Sequence, residues 1–383
     1  MADRGVEMAR NLVLFMLSVC CALAPAWAAQ PELGIFQARE IAPGIHLLGT
    51  PADYSGPAVG NMTIVEQKDG LVVLDSGATI GHGRTLVAYI RSISPKPVKL
   101  VSISHWHNDH PLGVAAIREA WPKARIVSTA ATRKGLMGPA RTSVGLAWDD
   151  RFETRILNEA ADAKGRVAAL RDSPDPAVRE RYRRYIANMD AFARDFRGTY
   201  LVPPTETFTR ELLVDDAERP VRLIYLGRAN TDGDAIAWLP RQRILVTGDI
   251  VVSPIPFGFF SFPESWISVL QRLKGFDFAL LVPGHGEPQR DAAYLDRLIG
   301  TVADIRAQVA PLARQGLGLD EVRKKVDFSR QSDIFGTTPR LRAAFEPLWL
   351  TPMVENAWKE ARGVPIVQGE GEATPASVRR TRN

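Results

Sequence analysis

Three of the chain's six histidines fall within six positions, in SISHWHNDHPLG at residues 102–113, and an aspartate sits among them. The four residues are His105, His107, Asp109 and His110. A His-x-His pair on an extended segment presents both imidazoles on one side, because strand side chains alternate with period two. Asp109 and His110 follow where the chain turns towards a helix, and so can face a second centre next to the first. Single histidines are usually explained by surface or core roles. Four donor-type side chains at this spacing, directly after an apolar strand, point instead to bound metal. Two later segments supply donors of the same kind. LVTGDIVV ends a strand at Asp249, and LVPGHGEP ends a strand at His285. All three segments are strand-to-loop exits, where α/β folds place ligands.

The remaining composition narrows the donor set. Cys20 and Cys21 are the only cysteines, and both lie in the apolar run NLVLFMLSVCCALAPAWA. Arg4 and Arg10 precede that run, and it ends in AWAAQ, with small residues at the cleavage positions. Residues 1–28 therefore read as an export signal, cut after Ala28 or Ala29. A membrane anchor is the alternative, but the uninterrupted apolar part is short and Pro25 stands near its end. LSVC lacks the small residue that a lipoprotein signal carries before its cysteine. The mature chain is expected to be periplasmic or secreted, without stable membrane insertion and without cysteine. Its metal ligands must then be nitrogen and oxygen.

Hydrophobic residues make up 45% and charged residues 24% of the 383, the balance of an ordinary globular protein. The net charge of +5 is spread along the chain. No long basic run occurs; the terminal SVRRTRN is basic but follows the loose GEGEATPA, so residues 364–383 read as a flexible, solvated tail. Nothing supports a nucleic-acid partner. A small-molecule substrate is expected, and no pattern sets an oligomeric state.

Elements must bring the donors together. NMTIVEQKDGLVVLDSG reads as a hairpin turning at KDG and ending at Asp75. HGRTLVAYIRSI has helical spacing, VKLVSIS is a strand, GVAAIREAWP a helix stopped by Pro122, and ARIVSTA a strand. This alternation predicts an α/β fold. Residues 134–200 are charged, amphipathic and helical, interrupted by SPDP, and read as an insertion. Strands return in RPVRLIYLG, AIAWLP and RILVTGDIVV. The helix SWISVLQRLKGF and the strand FALLVPG follow, and the chain from Ala292 to about Gly363 is mostly helical.

SHWHNDH, TGD and PGHG, in this order and at these intervals, resemble the metallo-β-lactamase superfamily. The resemblance implies an αβ/βα four-layer sandwich with metals at one edge. It divides the chain into a hydrolase domain at 29–310, containing the insertion, and a C-terminal helical extension at 311–363. Carried over residue by residue, it implies that His105 and His107 hold a first zinc. Asp109, His110 and His285 hold a second, Asp249 bridges the two, and Asp75 braces the metal loop. Zinc suits these donors, with iron or manganese as alternatives. The implied chemistry is a metal-bound hydroxide attacking the carbonyl of an ester, thioester, lactone or lactam, with Asp109 orienting the water or carrying its proton. A β-lactamase proper is the runner-up, and a non-catalytic metal-binding scaffold is a third reading.

One position departs from the family pattern. Where a third first-site histidine belongs, GRANTDGD supplies Asn230. A neutral amide oxygen is a weaker zinc donor than imidazole. Either Asn230 ligates, or holds a ligating water, in an uneven two-zinc site, or one zinc sits at the second site alone. Thr231 and Asp234 are expected to organise the turn that presents Asn230. In SPIPFGFFSFPESW, Phe257, Phe259, Phe260 and Phe262 form either an apolar wall beside the metals or plain core. TPADYSGPAVG, with Tyr54, is either a loop flanking the site or a turn. His46 reads as structural, His82 as a surface or capping residue, and Trp106 as packing away from its two ligand neighbours.

Overall fold

A computed structural model describes residues 31–137 and 152–366. The expected export signal at 1–28, part of the helical insertion (138–151) and the tail from 367 lie outside the described residues. From Leu33 onwards the chain forms one unit.

The β-branched and leucine-rich runs form two mixed sheets. The first contains β1 (Gln37–Ala42), β2 (Ile45–Gly49), β3 (Met62–Glu66), β4 (Leu71–Leu74), β5 (Val98–Ser102), β6 (Arg125–Thr129) and β7 (Glu206–Phe208), in that spatial order. Pairing is antiparallel as far as β4 and parallel from β4 to β7. The second contains β8 (Glu211–Val214), β9 (Val221–Tyr225), β10 (Ala235–Leu239), β11 (Ile244–Val246) and β12 (Leu280–Val282), with β12 at one edge and β8 at the other. Only β11 and β12 pair in parallel there.

Period-two alternation sorts the strand side chains between two cores. Leu47, Val65, Val72 and Leu100 join Leu223, Ala237, Ile244 and Val282 between the sheets. Leu48, Ile64, Val73 and Val101 face outwards against the helices α1 (Ile80–Ile93) and α2 (Val114–Ala120). Every side chain of β4 is buried, as in a strand covered on both faces. On the far side, Ile236, Trp238 and Leu245 are covered by α6 (Pro263–Lys274) and α7 (Ala293–Arg314). The order helix, sheet, sheet, helix is the expected four-layer sandwich. The C-terminal helices α8 (Leu319–Arg323), α9 (Ser329–Phe335), α10 (Pro339–Phe345) and α11 (Thr351–Arg362) extend the outer core. Phe345, Trp349 and Met353 are buried in it, and the Trp349 ring meets Trp266 edge-on at 5.2 Å.

Helix α3 (Ala130–Met137) leads from β6 into the insertion, which supplies α4 (Phe152–Arg166) and α5 (Pro176–Phe196). Asp175 caps α5 by accepting from the Ala177 N–H at 2.8 Å, with Pro176 in the first turn, where its missing donor costs nothing. Helices α4 and α5 are joined by Lys164–Asp190 at 2.7 Å and by the Phe152 and Phe196 rings at 5.8 Å. Beyond α5, the Thr199 hydroxyl accepts the Ile80 N–H at 3.0 Å and ties the insertion to the start of α1. This docking corrects the reading of His82 as a surface residue. It is buried between Phe36 and Phe192, and its Nδ1 accepts the Ala78 N–H. His46 is structural as expected, in β2, 3.1 Å from the Tyr89 hydroxyl. No helix among the described residues is long and apolar enough to cross a membrane.

Candidate metal centre

The donors converge at one edge of the two sheets. β4 leads to Asp75, β5 leads to His105–His110, β11 leads to Asp249 and β12 leads to His285. His105, His110 and Asp249 are buried, while Asp109 and His285 are partly exposed. His105 Nε2 lies 3.5 Å from Asp249 Oδ2. The other oxygen, Asp249 Oδ1, lies 3.3 Å from His110 Nε2 and 3.4 Å from His285 Nε2. Asp109 Oδ2 is 3.0 Å from His285 Nε2 and 3.6 Å from His110 Nε2. Two sets of donor atoms therefore cluster within 4.8 Å, His105–His110–Asp249 and Asp109–His110–His285. His110 belongs to both. The His107 ring stands beside His105, centroids 4.5 Å apart, outside either cluster.

Whether these residues fit a metal can be asked of their hydrogen bonds. The Nε2 atoms of His105, His107, His110 and His285, both oxygens of Asp249 and Oδ1 of Asn230 are buried without a directed hydrogen bond. Leaving so many polar atoms orphaned is costly unless another group satisfies them together. The charges agree. Burial would raise the Asp249 carboxyl, but His285, His110 and His105 outweigh it and hold it well below the ordinary carboxylate range. Asp109 is likewise held down, against burial, by His110 and His285. Burial, followed by the neighbouring His105, pushes His107 down to about 3, so its ring is neutral with a lone pair to give. The Asp109 and Asp249 carboxylates in turn outweigh burial and raise His110 well above the ordinary imidazole range and His285 to about 9, so without a cation these two rings hold protons that a cation would displace. Two carboxylates and four imidazoles gathered in this way are the donor set of a divalent cation such as zinc.

Behind the donors, Asp75 fixes their orientation. It adopts a left-handed backbone, φ +59°, uncommon for a side chain other than asparagine or aspartate. Its Oδ1 accepts the Ser104 N–H at 2.8 Å, and its Oδ2 accepts the Ser104 hydroxyl at 2.7 Å. Oδ2 also lies 2.8 Å from His110 Nδ1. A carboxylate only accepts, so Nδ1 of His110 carries the proton and Nε2 is the free donor. With its hydrogen given to Asp75, Ser104 accepts from His105 Nδ1 at 2.9 Å, which frees Nε2 of that ring as well. Asp75 was expected to brace the metal loop; Ser104 as a relay was not, although its place directly before His-x-His was the available signal.

Asn230 is fully buried, and its Nδ2 donates to the Phe257 carbonyl at 2.8 Å. That bond fixes which way the amide points and leaves Oδ1 as the unpaired acceptor. The turn is built as expected, with Asp234 Oδ2 accepting the Thr231 N–H at 2.6 Å. The aromatic segment divides between its two readings. Phe262 is buried in the fold, whereas Phe257 and Phe260 are half-buried beside the centre. Phe257 lies 5.2 Å from the His285 ring and Phe260 lies 5.6 Å from His107. Trp106 is buried and packs against Phe260 at 4.9 Å, but its ring also meets the His107 ring edge-on at 4.6 Å, so it is not turned away from that neighbour as expected.

The Pro51–Asn61 loop flanks the centre and contributes two residues that sequence reasoning passed over. Gly60 donates its N–H to the Asp109 carbonyl at 3.1 Å, and a Cβ there would lie 2.5 Å from the His110 ring. Asn61 Nδ2 donates to the carbonyls of Pro283 and Gly286, both at 2.9 Å, and so grips both sides of His285. Helix α5 holds the same loop through Asn188 Nδ2 to the Ser55 carbonyl at 2.7 Å.

Three comparisons bear on this arrangement. The sequence profile described as Metallo-beta-lactamase superfamily matches residues 55–285. The chain is 24% identical over 305 residues to a linear primary-alkylsulfatase of Pseudomonas sp. (strain ATCC 19151), an alignment of 73% of this chain and 52% of that protein. The solved stereoselective inverting sec-alkylsulfatase Pisa1 from Pseudomonas sp. superposes with a TM-score of 0.57 at 16% identity, covering 86% of this chain and 51% of that one. The DIM-1 metallo-beta-lactamase superposes with a TM-score of 0.47 at 18% identity, covering 71% and 99%. The chain spans about half the length of the alkylsulfatases it matches.

Proposed function

Because the chain belongs to the metallo-beta-lactamase superfamily and is a metal-dependent hydrolase with a His/Asp centre, we propose that it is a zinc enzyme that cleaves an ester bond. The observation that carries this reading is the two-sided placement of Asp249, with one oxygen towards His105 and the other towards His110 and His285. A carboxylate so placed can serve two ions. His105, His107 and the Asn230 amide oxygen would complete one side, and Asp109, His110 and His285 the other. Zinc, when bound, supplies a Lewis acid and a water of lowered pKa.

The chain's own groups supply the rest. Asp75 and Ser104 hold two imidazoles in the tautomer that offers Nε2. Asp109 is partly exposed at this edge, so it is placed to orient the attacking water and pass its proton to the leaving oxygen. Phe257 and Phe260 shield the same edge from bulk water. Two ester classes suit such a site. A carboxylic ester, thioester or lactone presents a planar carbonyl. A sulfate ester is favoured by the named activities of the alkylsulfatases that the chain resembles. Supported by the N-terminal signal pattern, we place this activity outside the cytoplasm.

The test is turnover by the zinc-loaded protein of p-nitrophenyl butyrate, decyl sulfate and a chromogenic β-lactam. Ester cleavage that Asp109→Ala and His110→Ala abolish without changing the circular-dichroism spectrum supports the reading. Cleavage of the β-lactam alone, or full activity in either variant, overturns it.

A further inference from the structure

Among the described residues, the insertion does not close over its own inner face. Ile156, Ala160, Ala163 and Arg166 recur on one side of α4, and Tyr185, Met189, Phe192 and Phe196 recur on one side of α5, both at helical spacing. These two faces line a cavity of about 370 Å³ that continues to Asp109. Such a volume lies within the range of small-molecule sites. Helix–helix contacts normally interdigitate and leave few voids. Here two alanines stand among the larger Met189 and Phe192 side chains, and the space stays open. The lining is mostly apolar. Its one member from the metal centre is Asp109, the residue assigned above to proton transfer.

We infer that this cavity is the subsite for an apolar chain of the substrate, so that the ester cleaved at the metal edge is amphiphilic. The inference rests on the proposed ester hydrolysis and names its substrate class. Continuity with Asp109 selects the occupant: a chain seated between α4 and α5 would present its polar end to the centre. Ala160 and Ala163 leave the space that the chain fills, Met189 and Phe192 form the facing wall, and the pocket's length sets the preferred chain. The stretch of α4 from Ile156 to Arg166 gives the groove a length of roughly 15 Å.

The experiment measures kcat/KM of the zinc-loaded protein for p-nitrophenyl esters from acetate to dodecanoate and for octyl, decyl and dodecyl sulfate. Each methylene that enters the cavity is expected to raise kcat/KM about fourfold, up to the length that fills it. Ala163→Leu keeps helix propensity but fills the groove, and should move the optimum to shorter chains, lowering kcat/KM for the decanoate at least tenfold more than for the acetate. Met189→Ala should move it the other way. Calorimetric binding of decane-1-sulfonate, which lacks a cleavable ester, gives a readout independent of turnover. It should be at least tenfold weaker in Ala163→Leu. Rates that are flat with chain length, or an Ala163→Leu variant that slows every ester equally, would overturn the subsite. If no ester is cleaved at all, the proposed function fails. Sulfonate binding that Ala163→Leu weakens would then still support the apolar subsite, and undiminished or absent binding would remove it.

Discussion

Asp75 Oδ2 stands 2.8 Å from Nδ1 of His110, and through Ser104 the same oxygen reaches the ring of His105. One carboxylate on one strand end therefore sets the tautomer of two metal-facing imidazoles. Three donors converge on it, the Ser104 N–H on Oδ1 and the Ser104 hydroxyl and His110 on Oδ2. An amide has only one oxygen for them. Asp75→Asn should lower zinc affinity about 10- to 100-fold, the usual cost of losing such a partner behind a ligand. Asparagine tolerates the left-handed backbone, so the fold should persist. Competition with a chromogenic chelator measures the affinity, and undiminished binding would mean that the ring is held by packing alone.

Gly60 makes a different demand on the same ring. Its φ is ordinary, so alanine fits the backbone; the conflict is the Cβ at 2.5 Å from His110 Cε1. Gly60→Ala should push the imidazole off Asp75. A loss of about 1–3 kcal/mol in urea unfolding is expected from the overpacking, together with depleted zinc after dialysis. Full zinc content in this variant would show that the loop yields and that the ring does not depend on it.

Asn230 is where this chain departs from its family, and its surroundings say what a histidine would meet. The amide gives its Nδ2 hydrogen to the Phe257 carbonyl and leaves Oδ1 unpaired. An imidazole could give Nδ1–H to that same carbonyl and offer Nε2, a stronger zinc donor than an amide oxygen. Asn230→His should therefore tighten the weaker of two ions by tenfold or more, while the larger ring in a fully buried position lowers the melting temperature of the metal-free form. Elemental analysis after dialysis against metal-free buffer reads the first effect. A zinc-to-protein ratio that stays the same in both proteins would show that position 230 does not face the ion.

What was legible in the sequence was the part carried by local chemistry. Donor residues at strand exits, apolar runs for the two sheets and the amphipathic insertion can each be read within a dozen residues. His82 could not be. It stands at helical spacing on α1, and only the return of α5 with Phe192, and of Phe36 ahead of β1, makes its surroundings apolar. Gly60 and Asn61 were hidden for the same reason. A glycine is needed there because a ring fifty residues later lies against it, and the asparagine matters because its amide spans a loop more than two hundred residues away. The sharing of His110 between two clusters also lies beyond spacing, because it depends on how far Asp249 reaches across from the second sheet.

Glu360 offers a pH dependence away from the metal centre. It lies on α11 and accepts the free N–H of Glu264, at the start of α6, at 3.0 Å, with Arg306 Nε at 3.8 Å. Burial pushes its carboxyl up to about 7, against the smaller opposing effects of the Glu264 N–H and Arg306. The folded protein thus holds this proton more tightly than the unfolded chain does. The contribution to stability is complete below the ordinary glutamate range, near pH 4.5, and is lost as the pH rises through about 7. Glu360→Gln keeps an oxygen for the Glu264 N–H but cannot ionise. Its melting temperature relative to the unaltered protein should therefore rise between pH 5 and pH 8, by a few degrees at most. Thermal unfolding of both proteins in matched buffers across that range checks it. A difference that is constant with pH would mean that Glu360 ionises as freely in the fold as in the open chain.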